Sequence, residues 1–291
     1  MKLLILDAGH CLSLAFTRQA NRRNDTELVI AQALTLTSEQ LEEVAPDALI
    51  IPPLASPSNA TPAMVESHAK AVESCLALCR HAGVPLVWCV SDELYEDGAE
   101  LPIDEHVIPH PRDESLCRLI ATGNRIRTDL PEHLIVRLGP LFALEGSEAW
   151  LAELIEQLLQ GRSVRVAEDI VFCPISADAV AMALIGMLQQ LSCSAAAWGA
   201  YHLAGIEPVS AYTFTSTVRT QLDTRLAGLG EKVALGDLKA LNHHHDQPLR
   251  RVLNCQRVLD VYGVHQKLWR LELGRMLDTW CHAYQAREKS A

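Results

Sequence analysis

The chain has 291 residues, with 25 Lys+Arg against 36 Asp+Glu, a formal net charge of −11 and 49% hydrophobic residues. That balance suits one large domain, or a domain with a smaller lobe, and excludes a predominantly disordered chain. Without a basic excess no nucleic-acid partner is expected, and no apolar run reaches the roughly 18–20 residues that span a bilayer, so no membrane association is expected either.

The N-terminal run Leu3-Leu4-Ile5-Leu6 meets Asp7 too soon to form the core of a secretory leader. A cytoplasmic location follows as the expectation, with all nine cysteines as thiols. Cys75 and Cys79 lie four apart on one face of a predicted helix, and Cys89 sits inside an apolar run. No C-x-x-C occurs, so these read as small buried apolar side chains and not as a redox or metal set. His243-His244-His245-Asp246 reads as a solvated loop, because adjacent residues of a regular element cannot converge on one ion. No metal is expected.

In chain order, Leu3–Leu6 predicts a buried strand and Leu28–Ala33 a second. A helix begins near Thr37–Ser38, where Thr37 and Gln40 have the spacing of a capping box. Pro46–Ile51 predicts a third strand, closed by Pro52-Pro53. A long helical pattern runs from Thr61 to Ala82 and stops at Gly83; Pro85–Val90 follows as a strand apolar on both faces. Helical Glu114–Arg125 precedes a fifth strand, Leu134–Leu138. This βαβαβ order predicts an open, doubly wound sheet.

The second half is less regular and contains no internal repeat. Ser147–Leu159 is amphipathic, and Ser176–Leu191 opens on a serine cap with Asp178 in its first turn. Ala200–Leu203 predicts a strand and Ser210–Leu226 a helix, while residues 228–247 read as a loop-rich linker. A last helix over about Gln266–Ala286 offers Leu268, Leu271, Met276 and Trp280 as core residues.

A first strand followed by a turn and a helix is where dinucleotide-binding folds place a glycine-rich loop against a pyrophosphate. The segment here is Asp7-Ala8-Gly9-His10-Cys11-Leu12-Ser13. In a G-x-x-G-x-x-G register the three glycine positions hold Asp7, His10 and Ser13. A carboxylate at position 7 would face phosphate charge, and a β-carbon at position 10 obstructs close approach.

Other segments carry a family resemblance. Val87-Trp88-Cys89-Val90-Ser91-Asp92-Glu93-Leu94-Tyr95-Glu96-Asp97-Gly98 resembles the hhSTDYVFDG segment of dTDP-4-dehydrorhamnose reductases, which are extended short-chain dehydrogenases. Pro46–Ile51 is similar to the family's PDVVIN, and Pro109 to Asn124 takes the place of its active-site helix. Leu134–Phe142 is similar to its I-x-R-T-S-W-V-Y strand and Gly199–Gly205 to its G-x-Y-H-L-A-G. Gln247-Pro248-Leu249-Arg250 with Leu253-Asn254, and later Trp269-Arg270, resemble its C-terminal R-P-x-N-S…W pattern. The motifs fall in the family's order along nearly the whole chain.

The resemblance implies an α/β fold: a Rossmann-like doubly wound parallel sheet, with a small, mostly helical C-terminal lobe. Residues 1–145 would form the Rossmann-like domain, and 146–291 a mixed region holding the last sheet elements and the substrate-type lobe. It also implies NAD(P)H reduction of a keto-sugar nucleotide by a Ser/Thr, a Tyr that donates a proton and a Lys that lowers the Tyr pKa. Those three positions fall on Ser91, Ser115 and Leu119. Leucine offers no charge, and a serine hydroxyl is a far weaker acid than a phenol. The family's adenosine-side acid falls on Thr35, and its small NAAA strand end on Ile51-Pro52-Pro53-Leu54.

Three readings follow. The first is a non-catalytic relative with no cofactor, acting by binding a protein partner or as a homo-oligomer. The second is an NAD(P)H-dependent oxidoreductase of the same class with other acids, among Asp92, Glu93, Tyr95, Asp113 and Glu114, which otherwise read as solvated surface. NADP or NAD would enter only if the degenerate loop still binds. The third is a sugar-nucleotide binder with diphosphate contacts from Arg162, Arg165, Arg250 or Arg251. Arg137 in its buried strand suits an ion pair or interface, and His202 a satisfied strand histidine.

Overall fold

The computed structural model describes residues 1–54, 56–95, 102–193, 196–242 and 249–288. The first half runs β1 (Lys2–Ile5), α1 (Cys11–Ala20), β2 (Glu27–Ile30), α2 (Ser38–Val44), β3 (Ala48–Ile51), α3 (Pro62–Ala82), β4 (Leu86–Ser91), α4 (Glu114–Asp129) and β5 (His133–Leu138). Then follow β6 (Leu141–Phe142), α5 (Trp150–Leu159), β7 (Val164–Ala167), β8 (Ile170–Phe172), β9 (Ile175–Ser176), α6 (Ala177–Ser192) and β10 (Gly199–Leu203). The chain continues through β11 (Val209–Ser210), α7 (Ala211–Gly228), β12 (Leu238–Leu241), β13 (Leu249–Arg251), α8 (Gln256–Tyr262) and α9 (Trp269–Glu288).

Six parallel strands form the main sheet in the order β10-β5-β4-β3-β1-β2. Its core strands are apolar on both faces because both faces are covered. Leu3, Ile5, Val87, Cys89 and Val136 point into one core with Phe16 of α1 and Leu184 of α6. Their neighbours Leu4, Leu49, Trp88, Val90 and Ile135 point into the other, against Val72 of α3 and Leu116 of α4. This period-2 division makes the sheet doubly wound.

The helix ends follow the chemistry legible in the sequence. Thr37 and Gln40 form the reciprocal capping box of α2. Thr61 caps α3 at its N-terminus, Pro62 takes the first turn, and Gly83 closes the helix at φ 67°. Ser176 and Ser210 cap α6 and α7.

A third core lies in the C-terminal lobe, where α5, α7 and α9 meet around Phe214, with Leu151, Leu222 and Leu273. Three expectations need correction here. Residues 228–247 are not merely a linker, since β12 pairs in parallel with β7. Helix α5 starts at Trp150, because Ser147 bridges to His10 instead. Helix α9 buries Trp269, Leu273, Leu277 and Cys281 at four-residue steps, while Leu271 on it and Leu268 just before it are exposed at 58% and 39%. Met276 and Trp280 lie only at the margin of that core. Both phases of this helix are apolar, so periodicity alone could not choose between them.

Candidate functional site

Helix α1 begins at the carboxyl end of β1, where a doubly wound fold presents backbone N–H groups to a ligand. Here the chain itself takes those groups. His10 is the cap, its Nδ1 accepting from the Leu12 N–H at 3.0 Å. The Cys11 N–H donates to the Ser147 carbonyl at 3.1 Å, and the Ser147 N–H donates back to the Gly9 carbonyl at 2.7 Å. The His10 N–H donates to the Asp7 carbonyl, and the Ala8 N–H to that of Ala31. The turn after β6 thus lies across the start of α1. Gly146 sits there at φ 93°, and a Cβ on it would come within 2.7 Å of the Cys11 Cα and N.

Asp7, His10 and Ser13 are all turned to local work. Asp7 adopts φ 59°, a left-handed conformation that glycine would take more easily. Ser13 is buried and its hydroxyl donates to the Leu6 carbonyl at 3.0 Å. Burial lowers the His10 pKa to about 4, so the ring is neutral and can accept from its helix.

The electrostatics point the same way. Glu148, half-buried at φ 65°, has its carboxyl pKa raised by burial, with the charges of Asp7, Glu93 and Glu153 adding to the effect. An acidic wall therefore faces the start of α1. The residues present do not fit the diphosphate of a dinucleotide: the N–H groups of Ala8, His10, Cys11 and Leu12 are taken within the chain, and the surrounding charge has the wrong sign.

At the end of β4, Ser91 is buried and its Oγ accepts from the Glu93 N–H at 3.3 Å. The Glu93 carboxylate accepts from the Ser56 hydroxyl and from both the N–H and hydroxyl of Ser58, tying down the segment after β3. Ser115 stands in the first turn of α4, its N–H donating to the capping Asp113 at 2.7 Å. Leu119, one turn on, is buried in the α3–α4 core, and Leu54 packs against the same core.

The alternative acids divide. Asp113 is a helix cap and Glu114 lies exposed beside it. Asp92 and Tyr95 are not solvated surface: both are buried. The Tyr95 hydroxyl donates to the Val107 carbonyl at 3.3 Å, and burial pushes its pKa up to about 12. Asp92 faces Arg251 of β13 at 3.4 Å. This also corrects the reading of Arg251, which is buried in that pair and presents no open fork to a diphosphate. Arg162, Arg165 and Arg250 are exposed, with Arg165 in the β7–β12 sheet and Arg250 in the β11–β8–β13 sheet.

His202 of β10 is fully buried and bonded at both ring nitrogens. Nδ1 lies 3.1 Å from the Ile103 carbonyl, and Nε2 lies 3.1 Å from Arg137 Nη1. Burial lowers its pKa to about 3, so Nε2 accepts from the guanidinium. Arg137 also donates to the Glu105 carbonyl at 3.2 Å and lies over the Tyr95 ring. Cys75, Cys79 and Cys89 are buried, and burial pushes each thiol up to about 12, which suits inert core residues. The His243–Asp246 run lies outside the described residues, and among the described residues no group of side chains could hold a metal ion. The turn at Gly146–Glu148 carried no signal in the sequence, since its partner, the start of α1, is remote in the chain.

A doubly wound sheet with an extra lobe and this order of motifs define a class, the extended short-chain dehydrogenase-like folds. The chain belongs to the family described as the RmlD substrate binding domain, which matches residues 59–281. The matched span begins after the loop at 7–13. Among solved structures, the chain is similar to a dTDP-4-dehydrorhamnose reductase from Clostridium acetobutylicum, with 17% identity over 96% of this chain and 99% of that one, at a TM-score of 0.77. The reductase from Bacillus anthracis, in complex with NADP, has 16% identity over 96% and 99%, at a TM-score of 0.76. A UDP-glucose 4-epimerase from Thermotoga maritima, with UDP-glucose, has 13% identity over 98% and 100%, at a TM-score of 0.72. These likenesses establish a Rossmann-like fold. No curated protein matches the chain.

Proposed function

We propose that this protein is a non-catalytic relative of the NAD(P)-dependent dTDP-4-dehydrorhamnose reductases, acting in the cytoplasm by binding a protein partner or a second copy of itself. The observation that carries this reading is the closed start of α1, where Ser147 and His10 take the N–H groups of Cys11 and Leu12 beneath an acidic wall. Ser115 and Leu119 at the positions of the proton donor and its lysine add to it. Tyr95 is no substitute, since its hydroxyl is held by a backbone carbonyl inside the core.

Titration with NADPH, followed by nicotinamide fluorescence, is expected to show no saturation up to millimolar cofactor. Saturable micromolar binding, or steady turnover of a keto-sugar nucleotide, overturns the proposal. The binding role is tested by sedimentation of the pure protein and by capture from native cytosol. Either a homo-oligomer or a stoichiometric partner is expected.

A second reading, sugar-nucleotide binding without a dinucleotide, is favoured by the family match, which begins after the loop at 7–13 and takes in the substrate-type region up to residue 281. Arg162, Arg165 and Arg250 remain exposed in the lobe for such a ligand. A rise in melting temperature with dTDP- or UDP-sugars, lost in an Arg165→Gln or Arg250→Gln variant, would support it.

A further inference from the structure

A cavity of about 450 Å³ lies between α4 and the strands β4, β5 and β10. Its size falls in the range of pockets that hold small organic ligands. Ser91, Ser115 and the loop at 7–13 do not line it, while Leu119 borders it from α4.

Its chemistry is two-sided. Arg127 of α4, Arg137 of β5 and Arg257 of α8 line it, against one carboxylate, Glu105. Among the described residues, none of the three guanidiniums makes an ion pair. Arg127 donates to the Asn124 side chain, and Arg137 uses Nη1 on a carbonyl and a histidine. Arg257 lies over the Tyr201 ring, 4.7 Å from its centroid. Arg137 is only 3% exposed, so its charge is held mostly away from water in a chain of net charge −11.

Leu119, Ile120, Ile135 and the indole of Trp88 make the apolar part of the lining. Trp88 is 1% exposed, and its Nε1–H has no acceptor. Gly123 of α4 leaves room for that ring, since a Cβ there would lie 3.2 Å from it. A buried indole N–H without an acceptor is costly, and three guanidiniums that share the single carboxylate Glu105 leave the cavity with excess positive charge. One ligand with a flat apolar body and an anionic end would cover the apolar lining and balance the excess positive charge.

The geometry points to a binding site for an aromatic carboxylate, its ring against Trp88 and its charge toward Arg137 and Arg257. A carboxylate suits the site better than a phosphate dianion. It matches the planar guanidinium fork and loses less solvation when it enters a half-apolar cavity beside Glu105.

The test uses the full-length protein and 2-naphthoate. The ligand is followed by calorimetry and by the indole N–H resonance of Trp88, assigned through Trp88→Phe or by elimination with the other tryptophans. A saturable shift of that resonance is expected. Arg257→Gln, with an unchanged melting temperature, should weaken binding at least tenfold, and the neutral analogue 2-naphthylmethanol should bind at least tenfold more weakly. The proposal is overturned by no saturable shift with 2-naphthoate, by equal affinity for the alcohol, or by an unaltered Arg257→Gln. Tighter binding of 2-naphthyl phosphate would overturn the choice of carboxylate.

Discussion

His10 couples the start of α1 to pH. It caps the helix only when neutral, because a protonated imidazole has no lone pair with which to accept from Leu12. Its folded pKa of about 4 lies below the ordinary value of 6.5, so the unfolded chain binds the proton more tightly. Stability from this residue is therefore complete above pH 6.5 and is lost as pH falls toward 4, on the order of 3 kcal/mol at the limit. His10→Asn keeps a capping acceptor and removes the titration. Urea denaturation at pH 7.5 and pH 5 should show a smaller acid loss in the variant by about 1–2 kcal/mol. An identical loss in both proteins would refute this role.

The Tyr and Lys that the resemblance implies can be introduced at residues 115 and 119. Leu119 is 2% exposed in an apolar core, so a lysine there buries an ammonium group. The double variant Ser115→Tyr, Leu119→Lys should melt lower than the parent, and NADPH titration should still show no binding, since α1 stays closed. That Ser115 and Leu119 share a helix was legible in the sequence, where the resemblance sets them at the family's Tyr and Lys. The closure was not, because a backbone contact between Cys11 and Ser147 leaves no local pattern in either segment.

At the scale of elements, the closure depends on a glycine. Gly146 combines φ 93° with a space that admits no Cβ, so Gly146→Ala meets backbone on the far side and cannot be relieved by a side-chain rotation. A loss of at least about 2 kcal/mol is expected in denaturant unfolding. Gly186, inside α6, is the control, with nothing within 4 Å of its would-be Cβ. Gly186→Ala should stabilise by about 0.5–1 kcal/mol through helix propensity. Equal effects of the two substitutions would show that the turn is not tightly packed. The capped helices and the long apolar strands of the sheet could be located from sequence, because caps and continuous apolar runs are local signals. Strands such as β6, β9 and β11 have two residues each, too few to display a period, and their pairing partners are distant in the chain.

For the whole molecule, the decisive contact is the one that joins sheet to lobe. Asp92, at the end of β4, and Arg251, on β13, are both buried and lie 3.4 Å apart, yet the contact lacks hydrogen-bond geometry. Burial raises the Asp92 pKa to about 7, and the facing guanidinium only partly offsets it. A pair of this kind adds little net stability, but removing one partner strands the other charge at a cost of about 3–5 kcal/mol. Arg251→Met should show such a loss at pH 8. It also removes the positive charge that favours ionised Asp92, so the carboxyl pKa rises further. Acidification to pH 6 then neutralises the stranded group, and the loss should shrink. Asp92→Leu combined with Arg251→Met leaves no buried charge and should recover most of the parent's stability at both pH values. A double variant as unstable as the sum of the single ones would mean that the two residues support the lobe separately. Recovery would show that the ion pair orients the lobe on the sheet without being the source of its stability, which the third core around Phe214 supplies.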